Sequence, residues 1–136
     1  MARALQAGLN SLNRRLRQAQ VAGDLTMAES AALSRLHRLG PTTSAELARE
    51  ERISAQSMGQ TVAALESHGL LVRERDADDG RRIVLTLTQA GHEVVDRRHS
   101  ARTQQLADAL RAGFSPDELE VLRAAAPLLE RLADRL

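Results

Sequence analysis

Cysteine is absent from this 136-residue chain, and Phe114 is its only Phe, Tyr or Trp residue. Without cysteine the chain can form neither disulfides nor thiolate metal sites, and it has no thiol with which to sense redox state. One aromatic side chain cannot build the stacking platform with which proteins bind single-stranded nucleic acid. No apolar run approaches the roughly 20 residues of a membrane-spanning helix, so we expect a cytoplasmic protein without a membrane partner.

Lysine is also absent, so that all nineteen basic residues are arginine. The formal net charge of the chain is only +1. A charge this small neither favours nor excludes nucleic acid as a partner. No residues combine as nucleophile, base and orienting group, and there is no phosphate-binding loop. The four histidines, at positions 37, 68, 92 and 99, lack a paired metal-ligand spacing. We therefore expect no enzyme, no cofactor and no metal site.

A winged helix-turn-helix is predicted by the order of elements between residues 41 and 91, which is helix, turn, helix, strand, strand. Thr43 and Glu46 have the spacing of a capping box, which begins a short helix that ends near Arg52. Ile53 is expected to act as an apolar plug between this helix and the next one. A second helix presented in this way can enter the major groove of DNA.

The second helix of this unit is predicted over residues 55–68, with Ser54 as its N-cap and Gly69 in the left-handed conformation after it. Its inward face carries apolar residues at helical spacing, namely Met58, Val62 and Leu65. Its outer face carries polar side chains that can bind bases or phosphates, namely Gln56, Ser57, Gln60 and Thr61. The alternative is an ordinary solvated helix face.

A β-hairpin follows, in which residues 76–82 form the loop between the two strands. Gly80 permits the tight bend. We expect Asp79 to hydrogen-bond and orient Arg81, while Arg81 or Arg82 reaches a narrow, electronegative minor groove. The alternative is a solvated, salt-bridged hairpin, which contributes little energy. The first strand is predicted to begin at residues 70–72, and the return strand is predicted to end with residues 83–87.

Amphipathic helices are predicted at both ends of the chain. The first covers residues 3–22 and stops at Gly23 and Asp24, and the last begins at Ser115 and has a kink at Pro127. Their leucine stripes exceed what a small winged core can cover, so we expect pairing with a second copy of the chain. A helical hairpin that packs on itself is the alternative. The stripes are Leu5, Leu9, Leu12 and Leu16, and Leu119, Leu122, Leu129, Leu132 and Leu136.

Two further helices complete the prediction. Thr26 and Glu29 have the spacing of a capping box for a helix that stops at Gly40, and Thr88 can cap a long helix that reaches Gly113. The fold is therefore mostly α with a small two- to three-stranded antiparallel wing, an α+β class. Residues 1–24 and 89–136 are assigned to a helical dimerisation region, and residues 25–88 to a winged helix-turn-helix DNA-binding domain.

Nearly the whole chain resembles the MarR family of transcriptional regulators. The matching segments are Glu46-Leu47-Ala48, the helix from Ser54 to Gly69 with Leu70-Leu71 behind it, the wing at 76–82, and Leu87-Thr88-Gln89-Ala90-Gly91. This resemblance implies a homodimer that binds a pseudo-palindromic operator in double-stranded DNA and acts as a repressor rather than an activator. It gives Asp79 and Arg81 the wing roles, and its recognition helix carries Ser54, Gln56, Ser57, Gln60 and Thr61.

The resemblance further implies a small aromatic acid as effector, bound between the dimer helices and the DNA-reading domain. On that basis Arg15 or Arg17 would meet a carboxylate, and the cavity would be lined by Leu12, Leu33 and Leu36. Solvated arginines and ordinary core leucines are the alternative for these residues. For the whole chain, the alternative is a winged-helix module that binds other proteins and no specific DNA.

Overall fold

A computed structural model of the protein describes residues 1–18 and 25–136. Within these ranges the chain forms six helices and one antiparallel hairpin, which confirms the mostly helical α+β class. The predicted break at Gly23 and Asp24 lies outside the described residues. The elements are α1 (Ala2–Gln18), α2 (Met27–Leu39), α3 (Ser44–Glu51), α4 (Ala55–Ser67), β1 (Leu71–Arg75), β2 (Ile83–Leu87), α5 (Gln89–Gly113) and α6 (Pro116–Ala133).

The chain divides within α5 into two compact units, one made of residues 1–99 and the other of residues 100–136. The assignment of 1–24 and 89–136 to a dimerisation region stays a prediction. None of the helices in the described ranges combines the length and the apolarity that crossing a membrane requires.

Hydroxyl side chains begin five of the helices, as predicted. In each case the side-chain oxygen accepts a hydrogen bond from the backbone N–H three residues ahead, at 3.1 to 3.3 Å. Such a cap typically contributes about 1 kcal/mol, because it satisfies an N–H that has no partner inside the helix. The caps are Thr26, Thr43, Ser54, Thr88 and Ser115.

α3 and α4 end in the same backbone arrangement, a Schellman motif. The left-handed residue donates its N–H to the carbonyl three residues back, and the following residue donates to the carbonyl five residues back. Gly69 takes the left-handed position after α4, with φ 71°, which confirms the prediction, and Arg52 takes it after α3, with φ 54°. The prediction for Ile53 is wrong. It follows this bend and is exposed, and fully buried Leu47 and Met58 contribute to the core in its place.

The hairpin pairs β1 with β2 in antiparallel register, with Leu71 opposite Leu87. Thr42 exchanges two backbone hydrogen bonds with Leu85, of 3.3 and 2.7 Å, and so adds a single third-strand bridge. β1 ends at Arg75, directly before the loop predicted at 76–82. Its charged residues pair with the apolar return strand although their own sequence has no strand pattern. Arg75, for example, lies opposite Ile83.

The core of the first unit consists mostly of leucine side chains, which come from α2, α3, α4, the hairpin and the first turns of α5. The inward face predicted for α4 is confirmed. Gly91 allows α5 to begin directly against the start of β1, since a Cβ at this position would lie 2.1 Å from the Leu70 carbonyl oxygen. The core consists of Ala32, Leu33, Leu36, Leu47, Ala48, Met58, Val62, Leu65, Leu70, Leu71, Leu85, Leu87 and Val95.

The terminal helices expose much of their apolar surface. In α1, Leu5, Leu9 and Leu12 are exposed. In α6 no described residue is buried, and Pro127 lies inside a helix that continues on both sides of it. The predicted kink there stays a prediction. Leu136 lies beyond the last residue of α6, so it is not part of that helix.

Candidate nucleic-acid interface

The first turn of α4 exposes a group of polar side chains. Ser54, Gln56, Ser57 and Gln60 are all exposed. The Ser54 hydroxyl accepts from the Ser57 N–H at 3.1 Å and donates to the Ser57 hydroxyl oxygen at 2.9 Å, which leaves the hydrogen of the Ser57 hydroxyl for an outside acceptor. No acidic residue lies in this first turn, so the positive end of the helix dipole is not neutralised. The arrangement suits a phosphate oxygen.

Thr61 does not belong to this exposed face. Only 8% of its surface is exposed, and its hydroxyl donates to the Ser57 carbonyl at 3.1 Å. The prediction that it lies on the outer face is therefore wrong. Position 61 follows Met58 by three residues, and residues three apart lie on the same side of a helix, which here faces the core.

Two aspartates shape the loop of the wing. Asp76 accepts the N–H of Asp78, and Asp79 accepts the N–H of Arg81, each at 3.0 Å, so both form Asx turns. The loop is closed by a bond from the Asp76 N–H to the Arg82 carbonyl and one from the Arg82 N–H to the Asp79 carbonyl, both 2.9 Å. Asp79 thus hydrogen-bonds to Arg81 as expected, but through the backbone of Arg81 and not through its guanidinium.

The two neighbouring arginines of the wing have different surroundings. Arg82 turns back towards α3, where its Nη2 lies 3.1 and 3.2 Å from the two carboxylate oxygens of Glu46, and its Nη1 lies 3.8 Å from Asp76. Arg81 is exposed, and in the described part of the chain its guanidinium has no ion pair. Of these two arginines, only Arg81 presents an uncommitted cation.

Glu46 connects α3, the third-strand bridge and the wing. Its Oε2 accepts from the Thr43 N–H at 3.0 Å, from the Thr42 hydroxyl at 2.7 Å and from the Thr43 hydroxyl at 3.0 Å. The Thr43 N–H, then the two hydroxyls, and last the positive charge of Arg82 hold the pKa of Glu46 down to about 2, against an ordinary 4.5. The sequence revealed Glu46 as a helix cap but not as the partner of Arg82, which lies 36 residues away.

The residues predicted to bind an effector do not share one environment. Leu33 and Leu36 are 1 and 2% exposed inside the core of the first unit, so they offer no surface to a ligand, and that part of the prediction is wrong. Leu12, Arg15 and Arg17 are exposed on α1. Their role stays a prediction.

Three histidines lie together although their spacing in the sequence did not suggest it. The Nδ1 atoms of His37, in α2, and His92, in α5, are 3.2 Å apart, and the ring of His99 has its centre 6.2 Å from that of His37. Across residues 1–18 and 25–136, no group of three or more histidines or acidic residues is placed to hold a metal ion.

The chain is similar to known proteins. A model described as MarR family matches residues 23–82. The HTH-type transcriptional regulator MT0903.1 of Mycobacterium tuberculosis is 31% identical over 134 residues, which cover 98% of this chain and 93% of that protein. The HTH-type transcriptional repressor MT2955 of the same species is 30% identical over 108 residues, covering 79% of this chain and 75% of the relative.

A solved structure agrees with these sequence matches. The crystal structure of a putative transcriptional regulator protein from Pseudomonas aeruginosa PA01 superposes with a TM-score of 0.88 at 30% identity, over 98% of this chain and 92% of that one. The matching relatives are regulators and not enzymes, and the helix-turn-helix with its wing is the shared element. The chain therefore belongs to the MarR family of transcriptional regulators.

Proposed function

We propose that the chain is a homodimeric repressor that binds a pseudo-palindromic operator in double-stranded DNA. The observation that carries this proposal is the exposed, unpaired Arg81 at the wing, beside an α4 whose first turn is polar and free of acidic residues. The relative MT2955 is named a transcriptional repressor, which supports repression as the mode of action.

α4 is the element proposed to read the operator. Gln56 and Gln60 are exposed and long enough to form two hydrogen bonds with an adenine edge in the major groove. Ser54 and Ser57, at the start of the helix, are suited to phosphate contacts that position α4 without reading sequence. Thr61 is left out of the proposed interface because it is buried.

The wing is proposed to contact the neighbouring minor groove through Arg81. A narrow, A·T-rich minor groove has an enhanced negative potential that attracts an arginine side chain. Arg82 is left out as a DNA contact, because Glu46 and Asp76 already hold its guanidinium. Asp79 is proposed to act by fixing the backbone from which Arg81 extends.

Dimerisation is supported by the apolar faces of the terminal helices. Leu122, Leu129 and Leu132 of α6 keep 42, 39 and 40% of their surface exposed. Removing such surface from water stabilises an interface by roughly 25 cal/mol per Å², and a second copy offers the same surface in return. A two-fold dimer would place two α4 helices on half-sites about 34 to 36 Å apart.

An effector completes the proposal. We assign Arg15 or Arg17, both exposed on α1, to the carboxylate of a small aromatic acid, and Leu12 of the same helix to its apolar part. The second unit has a groove of about 320 Å³, but Asp117 and Glu118 line it together with apolar residues, so it does not suit an anion.

Selection of bound duplexes from a random pool tests the proposal. The purified chain should enrich a pseudo-palindrome, and Arg81→Ala should then weaken binding to that duplex by about tenfold or more, with a salt slope lower by about 0.9 or less. Arg73→Ala, which removes an arginine of β1 that is paired with Glu66, is the control and should bind within about twofold of the parent.

Failure to enrich any duplex at any salt concentration would refute the operator proposal and favour a protein-binding module. Enrichment followed by parent-like binding of Arg81→Ala would refute the role of the wing alone. Benzoate serves as the probe for an effector. Its addition should release the selected duplex from the parent but not from one of the two variants Arg15→Ala and Arg17→Ala, and an equal response from all three proteins would remove both arginines from that role.

A further inference from the structure

We propose that Glu46 and Arg82 form a wing anchor, an ion pair that positions Arg81 for DNA without itself touching DNA. The inference rests on the proposed function, because it concerns how the wing is held for operator binding. It makes Glu46, a residue of the first helix of the helix-turn-helix, a determinant of DNA affinity, although the exposed polar face proposed to read DNA belongs to α4.

The position of Glu46 is fixed before Arg82 reaches it. The Thr43 N–H, the Thr43 hydroxyl and the Thr42 hydroxyl all donate to Oε2, at 3.0, 3.0 and 2.7 Å, and Thr42 is itself held by two backbone bonds to Leu85 of β2. The carboxylate is therefore hydrogen-bonded both at the start of α3, through Thr43, and at the edge of the wing, through Thr42. A charge held in this way is a rigid point of attachment.

Arg82 connects the fixed carboxylate of Glu46 to the loop of the wing. Its guanidinium binds both oxygens of Glu46, and its backbone closes the loop through bonds to Asp76 and Asp79. Arg81 is the residue immediately before it, and its N–H is held by Asp79. Hydrogen bonds thus fix the backbone on either side of Arg81, so that only its side chain remains free to adjust to the minor groove. Pre-ordering of this kind lowers the entropy that binding must remove.

Two substitutions that change the net charge in opposite directions, but are predicted to weaken DNA binding alike, test the wing anchor. Glu46→Gln raises the net charge by one, and Arg82→Gln lowers it by one, so an effect of net charge alone would strengthen DNA binding in the first variant and weaken it in the second. Loss of the anchor predicts weaker binding in both, by about threefold or more, on the duplex selected by the parent. Glutamine is accepted at this position of a capping box, so the start of α3 is retained.

A double-mutant cycle with Arg81 separates positioning from direct contact. Arg82→Gln should lose its effect, to within about twofold, when it is made in the Arg81→Ala protein, because an anchor has nothing left to position. Its slope of log affinity against log salt should equal that of the parent. A phosphate contact made by Arg82 would instead lower the slope by about 0.9 and give an effect that is independent of Arg81.

Arg73→Gln is the matched control, because Arg73, on the same hairpin, forms an exposed ion pair 3.0 Å long with Glu66 of α4. It should bind within about twofold of the parent. Stronger binding by Glu46→Gln, additive effects of the Arg81 and Arg82 changes, or a lower salt slope for Arg82→Gln would each overturn the wing anchor. Because all variants are measured on a duplex that the parent binds, these results would leave the proposed function standing, whereas selection of no duplex would remove both.

Discussion

Gly91→Ala is expected to destabilise the protein, although alanine is the better helix former. Gly91 is the third residue of α5, and a Cβ there would lie 2.1 Å from the Leu70 carbonyl oxygen and 3.1 Å from its carbonyl carbon. An ordinary contact between carbon and oxygen is longer by about 1 Å or more, so α5 or the start of β1 must move. The Leu70 carbonyl also accepts the N–H of Thr88 at 3.1 Å, which leaves it little freedom to yield.

The magnitude follows from these contacts. Forcing extra volume into a packed site typically costs about 1 to 3 kcal/mol, and straining one hydrogen bond costs about 0.5 to 1.5 kcal/mol more. Helix propensity returns at most about 1 kcal/mol. We expect a net loss of about 1 to 3 kcal/mol, equivalent to a fall in Tm of about 3 to 10 °C for a chain of this length. Thermal unfolding followed by circular dichroism measures it, at one fixed protein concentration because a dimer's Tm depends on concentration.

Gly59→Ala is the control for this substitution. Gly59 lies inside α4, and a Cβ there would meet no atom within 4 Å. Here the helix propensity of alanine acts alone and should raise the stability by up to about 1 kcal/mol. The two substitutions are chemically identical and are predicted to have opposite signs. A Gly91→Ala protein as stable as the parent, or more stable, would refute the close contact between α5 and Leu70.

Three further predictions concern assembly, DNA reading and acid stability. Leu129→Arg should convert the proposed dimer to a monomer in sedimentation at micromolar concentration, since an apolar interface cannot hold an unpaired charge, whereas Ala124→Arg, on another face of α6, should not. Gln60→Ala should relax base preference at one position of each half-site, at a cost of about 1 to 3 kcal/mol, and a uniform loss across all sequences would mean that Gln60 contacts only phosphate. The pKa of Glu46 is lowered to about 2 in the folded chain, so its stabilising contribution should be complete above the ordinary pKa of 4.5 and disappear as pH falls towards 2. The Tm difference between the parent and Glu46→Gln should shrink across this range, and a constant difference would contradict the assigned cause.

Features that depend on neighbours along the chain were predictable. Each helix cap uses a hydroxyl and a backbone N–H three residues apart, so the starts of α2, α3, α4 and α6 can be recognised from Thr26, Thr43, Ser54 and Ser115. Gly69 marks the end of α4 for the same reason, because the left-handed conformation is a local property. The exposed polar residues of α4 followed from helical periodicity.

Contacts between distant parts of the chain were not predictable. Arg81 and Arg82 are equivalent by sequence, and only the folded hairpin brings Arg82 to Glu46 and separates their roles. Thr61 lies at the border of the two faces of α4, where a polar side chain can be buried if its hydroxyl finds a carbonyl in the same helix. The contact between His37 and His92 joins residues 55 positions apart, and no spacing rule for metal ligands or pairs detects it.

Arg52 occupies a turn position at which two opposing terms decide the difference in stability between arginine and glycine. The left-handed backbone at φ 54° costs an arginine about 1 to 2 kcal/mol, a cost that glycine does not have. Glycine, however, loses more conformational freedom on folding, by about 0.4 to 1 kcal/mol. The second term offsets only part of the first, so glycine would be favoured over arginine at position 52 by about 0 to 1.6 kcal/mol. Arg52 thus places a positive charge between α3 and α4 at a modest cost in stability.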